Sequence, residues 1–236
     1  MAARLWCVVP AAGRGTRVGG PLPKQYLPVA GRPLIEHTLE RLAAHPSIAG
    51  LMVVVAEGDD IWPTLAVPTA KPVLIAVGGA ERCDSVLAGL HALPDDVGDE
   101  DFVLVHDAAR PCVRAADIAN LIERAGAMDG GLLGAPLRDT LKRADERQCS
   151  QATEPRDRRW RAFTPQMFRR EQLVAALRAA AAAGVTVSDE AMAMERMGFA
   201  PLLVEGAEDN IKVTTATDFA LAEFLLDRIH SKDALA

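Results

Sequence analysis

Short runs of apolar, largely β-branched residues recur along this chain, separated by stretches with a helical period. LWCVV (5–9), LMVVVA (51–56), PVLIAV (72–77), DFVLVHD (101–107) and GLLGAP (131–136) read as strands bounded by turn formers. Between them lie helical patterns at Arg32 to Ala44, Glu81 to Ala92 and about Ala115 to Met128. In the first of these, Leu34, Ile35, Thr38, Leu39 and Leu42 fall on one side. Strands that are continuously apolar, rather than alternating, are buried on both faces. The rhythm therefore predicts an α/β fold, a doubly wound and mostly parallel sheet covered by helices on both sides. Ligands bind such sheets at the carboxyl ends of strands.

The rhythm breaks after Pro136. Residues 137–162, LRDTLKRADERQCSQATEPRDRRWRA, carry many charges and little apolar period. A stretch this long without a core of its own is an excursion with a functional or interaction role. It is expected to form a hairpin, with LRDTLKRA as one strand and RRWRAFTPQ as the return. Helical patterns resume at Arg170–Ala183 and Asp189–Met197. PLLVEG (201–206) and NIKV (210–213) read as short strands. A closing helix follows from Thr215 to Ile229, with Thr215 or Thr217 as N-cap. No repeat or linker divides the chain, so residues 1–236 are expected to be a single domain with an arm at about 137–162.

Half of the residues are hydrophobic, enough for a sizeable core, and the net charge of −6 argues against a general nucleic-acid binder. No apolar run approaches the length of a membrane span, and the run at the start is too short for a signal peptide. Cys7, Cys83, Cys112 and Cys149 are far apart and form no CxxC pair. They read as reduced thiols of a cytoplasmic protein, with Cys7 filling a buried strand.

Four segments carry candidate chemistry. The first is PAAGRGTRVGGPLPKQY (10–26), directly after the first strand. It is neither a Walker loop nor the dinucleotide fingerprint, since Val18 stands where a third glycine is needed. Gly13 and Gly15 still free backbone N–H groups to face an anion, and Arg14, Arg17 and Lys24 add positive charge. The second is HDAARP (106–111), where Asp107 either holds Mg²⁺ or caps a helix. Arg110 there either grips a phosphate in two-pronged fashion or serves as a structural partner. The third is EGAEDNIKVT (205–214), with Lys212 for a phosphate or a salt bridge and Asp209 as a possible second metal contact. The fourth is GGAERCDS (78–85), whose amides and Ser85 hydroxyl either read a nucleobase edge or form an ordinary turn. Zinc spacings and a GxSxG elbow are absent from the sequence.

Taken together, PAAGRGTR, PKQY, GGAERCDSV, HDAARP, RDT, TPQMF, SDEA and DNIKVT resemble the 2-C-methyl-D-erythritol 4-phosphate cytidylyltransferases, in order, from about residue 5 to residue 228. The resemblance implies a nucleotide-diphospho-sugar transferase-like fold. It also implies a homodimer in which each arm completes the partner's active site. CTP is the implied co-substrate and Mg²⁺ the implied cation. The loop with Arg17 and Lys24 would hold the CTP phosphates, with Gly13 and Gly15 giving close approach. Ala11 and Ala12 would lie beside the nucleoside, while Gly79 and Ser85 would face cytosine. Asp107 would stand near ribose, metal and acceptor. Arg110, Thr164, Ser188 and Lys212 would line the acceptor pocket, and Thr140 and Arg156 would reach in from the neighbouring subunit. Arg17, Lys24, Lys212 and Arg156 are the implied catalytic set.

Three departures stand out. Ala80 replaces a frequent acidic residue, Ser188 replaces a more common threonine, and Pro155-Arg156-Asp157-Arg158 leaves Arg156 or Arg158 as the arm arginine, with the count back from TPQ favouring Arg156. Other readings are a cytidylyltransferase for another polyol phosphate such as ribitol 5-phosphate, a silent nucleotide-binding protein, and a nucleic-acid-binding arm. The first shares the nucleotide half. The second is disfavoured by the presence of Arg17, Lys24, Asp107 and Lys212 together. The third lacks stacking aromatics beyond Trp160.

Overall fold

The computed structural model describes residues 5–13 and 22–233. β1 (Leu5–Pro10) leads to a 3-10 turn at Lys24–Tyr26, then to a small ladder of β2 (Pro28–Val29) with β3 (Arg32–Pro33), and to α1 (Leu34–Ala44). β4 (Ile48–Val55), β5 (Val73–Val77), α2 (Arg82–His91), β6 (Phe102–Val105), α3 (Ala115–Ala125) and β7 (Gly131–Pro136) follow. The arm carries β8 (Leu141–Ala144) and β9 (Ser150–Glu154). The chain then returns through β10 (Trp160–Arg169), α4 (Arg170–Ala182), α5 (Glu190–Arg196), β11 (Leu202–Glu205) and α6 (Ala216–Asp233).

Seven strands form one sheet in the order β11-β7-β10-β6-β1-β4-β5. β1 pairs in parallel with both β4 and β6, β4 with β5, and β11 with β7; β10 runs antiparallel between β6 and β7. The sheet is thus mostly parallel, as expected. Successive side chains of β1 go to opposite faces, which explains its unbroken apolar run. Cys7 and Val9 pack in a cluster with Leu39, Leu42, Ile118 and Leu121 of α1 and α3. Trp6 and Val8 pack with Val86, Leu90, Leu173 and Met194 of α2, α4 and α5. A smaller cluster seats Ala222 and Leu226 of α6 against Leu34 and Val213. Cys7 is fully buried and all four cysteines are free thiols.

Three expectations give way. RRWRAFTPQ is not the return strand of the arm hairpin. β8 instead pairs with β9, and the turn between them is closed by the Asp145 carboxylate, which accepts from the N–H groups of Arg147 (2.9 Å) and Cys149 (2.8 Å). The apolar side chains Phe163, Met167 and Phe168 draw β10 into the sheet, where they are buried. NIKV joins no ladder; it makes single backbone bonds such as Val213 N–H to the Ala109 carbonyl at 2.8 Å. The first helix begins at Leu34 rather than Arg32, because the residue before a proline is pushed towards extended backbone. α6 begins at Ala216, so Thr215 holds the N-cap position as expected, and the Asp218 carboxylate in the first turn accepts from Thr214 N–H, Thr215 N–H and the Thr214 hydroxyl, each at 2.8 Å. Among the described residues, no helix is long and apolar enough to cross a membrane.

Candidate active site

β1 and β6 are neighbours and parallel, so the segments that follow them emerge side by side. Ala11, Ala12 and Gly13 follow one strand; His106, Asp107 and Ala108 follow the other. Between them opens a cavity of about 240 Å³, walled also by Lys24, Gly79, Arg82, Ser85 and Lys212. All four motifs therefore meet at the carboxyl edge of the sheet.

The PKQY turn is clasped to the first loop by Gln25, whose side-chain amide donates to the Ala11 carbonyl at 2.6 Å. It is held to the NIKV segment by Lys24, whose Nζ donates to the Val213 carbonyl at 2.8 Å. Across the cavity, α2 opens with a capping box: the Glu81 side chain accepts from the amide of Asp84, and the Asp84 carboxylate accepts from Glu81 N–H at 3.1 Å. Ser85 is buried in this first turn, and its hydroxyl donates to the Glu81 carbonyl at 3.2 Å. Gly78 sits where a Cβ would lie 2.6 Å from the Ala12 Cβ and 2.7 Å from Ser85 Oγ. Backbone alone fits between the two walls.

Asp107 is the electrostatic centre. Its Oδ1 meets Arg82 Nε at 3.0 Å, and its Oδ2 meets Lys212 Nζ at 3.0 Å and Arg110 Nε at 3.3 Å. Burial opposes a charge here, yet Arg82, Lys212 and Arg110 together hold the carboxyl well below the usual carboxylate range. The backbone of Asp107 is fixed from behind. Its N–H donates to Thr164 Oγ1 at 3.0 Å, and the Thr164 hydroxyl faces His106 Nδ1 at 3.0 Å. His106 Nε2 in turn faces the Arg110 carbonyl at 3.1 Å. A carbonyl can only accept, so Nε2 carries the proton and the Thr164 hydroxyl donates to Nδ1. Burial, more than any neighbour, lowers the His106 pKa to about 4 and keeps the ring neutral.

Ala11, Ala12, Gly13, Lys24, Gly79, Ser85, Asp107 and Lys212 thus come together as the motifs implied. Gly15 and Arg17 lie outside the described residues. Arg110 does not line the cavity: its guanidinium is spent on Asp107, the Asn210 carbonyl (2.7 Å) and the Ala162 carbonyl (3.5 Å), 5.2 Å over the Phe163 ring. Thr164 is likewise committed inside. Ser188 is exposed, with its hydroxyl 3.6 Å from Met192 Sδ. Thr140 and Arg156 stand on the exposed arm, outside the cavity of their own chain, and Arg156 donates to the Arg138 carbonyl. Asp209 is not brought to Asp107: it pairs with Arg114 and lines a separate cavity of about 620 Å³ with Arg41 and Arg228.

Arg82 and Glu190 were not singled out by the sequence. Both lie inside recognisable motifs, GGAER and SDEA, but their partnership spans 108 residues and leaves no local signature. Among the described residues, no group of three or more His, Cys, Asp or Glu converges as a metal cage. The Asp107 carboxylate, set amid cations, suits an ion carried mainly by phosphate oxygens, the usual habit of Mg²⁺.

A family model described as IspD: 2-C-methyl-D-erythritol 4-phosphate cytidylyltransferase matches residues 5–228. A protein of that name from Xanthomonas euvesicatoria pv. vesicatoria (strain 85-10) is 60% identical over 227 residues, covering 96% of this chain and 86% of its own. A crystal structure of a 4-diphosphocytidyl-2C-methyl-D-erythritol synthase superposes with a TM-score of 0.83 at 33% identity, covering 96% of this chain and 100% of its own. The Francisella tularensis 2-C-methyl-D-erythritol 4-phosphate cytidylyltransferase superposes with a TM-score of 0.81 at 30% identity, over 94% and 100% of the two chains.

Proposed function

The chain belongs to the 2-C-methyl-D-erythritol 4-phosphate cytidylyltransferase family, and from that premise we propose how the residues of its cleft carry out the reaction. The enzyme transfers CMP from CTP to 2-C-methyl-D-erythritol 4-phosphate in isoprenoid precursor biosynthesis, giving 4-diphosphocytidyl-2-C-methyl-D-erythritol and pyrophosphate.

An acceptor phosphate oxygen attacks the α-phosphorus of CTP in line. A new O–P bond forms as the bond to the β-phosphate bridging oxygen breaks, and pyrophosphate leaves with that electron pair. Phosphate monoesters lose their second proton near pH 6, so the nucleophile is already anionic and no general base is needed. The difficulty is the meeting of two polyanions, and catalysis is therefore positioning plus charge stabilisation. Gly79, Ser85, Ala11 and Ala12 receive the nucleoside, and Gly13, Gly15, Arg17 and Lys24 receive the phosphates. Lys212 stands between the two substrates, steadied by Asp107. Asp107 would contact Mg²⁺, which when bound would supply neutralisation of phosphate charge.

The exposed arm, with Thr140 and Arg156 outside their own cleft, supports a homodimer in which each arm serves the partner's site. We take the chain as one cytoplasmic catalytic domain with this arm. The observation that carries the reading of the site is that Lys24, Asp107 and Lys212, from three separate motifs, line one cavity. The test is pyrophosphate release from CTP with 2-C-methyl-D-erythritol 4-phosphate, against the other nucleoside triphosphates and ribitol 5-phosphate. Turnover should require CTP and the methylerythritol acceptor. Equal or faster turnover of ribitol 5-phosphate would overturn the acceptor assignment.

A further inference from the structure

Arg82 enters the cavity wall from the first turn of α2, but its donors point elsewhere. Nε meets Asp107 Oδ1 at 3.0 Å, while Nη1 and Nη2 grip the two oxygens of Glu190 at 2.6 and 3.1 Å. Glu190 is fully buried and opens α5. Its neighbour Asp189 caps that helix by accepting from Met192 N–H at 3.0 Å and takes the Gln166 amide at 2.9 Å. Gln166 Oε1 accepts from Ala191 N–H at 2.8 Å, which fastens the same turn to β10. Glu190 is therefore an anchored post, and Arg82 is stretched between it and Asp107.

We propose that Arg82 is a positioning residue of the transfer reaction, a two-ended clamp that fixes the Asp107 carboxylate against Glu190 and thereby places Lys212. The inference rests on the cytidylyl-transfer reading and adds to it a residue that does not touch the reacting atoms. Each Asp107 oxygen has its own cation, Arg82 on Oδ1 and Lys212 with Arg110 on Oδ2. A carboxylate held at both ends cannot rotate, so the Lys212 ammonium is located through it. A lysine at position 82 could not span two carboxylates, because only the planar guanidinium presents donors in a fork. The turn around Ser85 keeps its own capping box, which does not involve the Arg82 side chain. Loss of the clamp should accordingly spare CTP binding and strike turnover.

Arg82→Met alone strands the buried Glu190 charge and threatens folding. The decisive variant is the double Arg82→Met/Glu190→Met, which removes both charges and restores an apolar pair. Thermal unfolding and steady-state kinetics are measured on the parent, Arg82→Lys, Glu190→Gln and the double variant. The double variant should unfold near the parent's temperature while kcat stays down by roughly 100-fold, the usual scale for misplacement of about 1 Å, with KM for CTP little changed. Arg82→Lys should also lose kcat. Recovery of kcat together with stability in the double variant would reduce Arg82 to a structural ion pair, and parent-like kinetics in Arg82→Lys would show that the fork is not needed. A parent without turnover would instead bring down the transfer reading, and the clamp with it.

Discussion

The Lys24 ammonium donates to the Val213 carbonyl at 2.8 Å, across 189 residues of chain. That bond lies next to Lys212, whose own ammonium rests on Asp107. The two lysines are thus set relative to each other by one short backbone segment, and neither position is left to a free side chain. Lys24→Ala should lower kcat by about 100- to 1000-fold, the typical cost of one transition-state contact. Steady-state kinetics with CTP as the varied substrate provide the check; an unchanged kcat would remove Lys24 from the chemistry.

Gly78→Ala tests the base-reading wall. The added Cβ has no room between Ala12 and Ser85, whose atoms would lie 2.6 and 2.7 Å away. Overpacking of this kind costs about 1–3 kcal/mol, and here the atoms that must move are those proposed to face the nucleoside. KM for CTP should rise by at least ~10-fold, with a smaller change in KM for the acceptor. Calorimetric titration of CTP into the variant at parent affinity would show that the wall is not used.

His106 makes stability depend on pH. Its pKa is about 4 in the folded chain against 6.5 as an ordinary histidine. Between those values the unfolded chain binds the proton and the native one does not, so stability falls as pH drops from 6.5 to 4. The loss is on the order of 3 kcal/mol. Asp107, held below the normal carboxylate value of 3.8, adds a second loss once pH falls beneath that value. Thermal unfolding across this range should be steeper for the parent than for His106→Gln; equal slopes would mean that the ring is not the titrating group.

The arm is tested by mixing subunits. Arg156→Ala should raise KM for the acceptor phosphate and leave that for CTP nearly alone. A dimer pairing one Arg156→Ala subunit with one Lys24→Ala subunit should retain one intact site if the arm acts on its partner. Mixed dimers, purified by paired affinity tags, whose turnover shows only the raised acceptor KM of Arg156→Ala would place the arm arginine in its own chain's site.

The fold was legible where burial dictates composition. β7 runs from Gly131 to Pro136, as its apolar run indicated, and α3 begins at Ala115 as its period indicated. Legibility failed where a polar or charged surface hides a strand. Trp160 and Arg161 look like arm sequence, but they begin a strand whose later residues are core. At the site, the residues on cavity-lining turns were readable because glycine, lysine and aspartate there follow strand ends. The internal bonds of Arg110 and Thr164 were not readable, since buried polar groups find partners that lie far away in sequence. The Arg82–Glu190 pair was invisible because two residues far apart in sequence reveal a partnership only once the chain has folded.

β10 bears on how the arm relates to the rest. Leu137 N–H donates to the Arg159 carbonyl at 2.8 Å, and Pro136 stands opposite Trp160, so the ladder is already closed at the neck of the arm. Everything beyond that neck is an insertion into a finished hairpin. Its length and its side chains are therefore free to diverge without disturbing the register beneath. A transplanted arm from a relative, spliced at Leu137 and Arg159, would exchange what the subunit recognises while the nucleotide-binding half stays as it was.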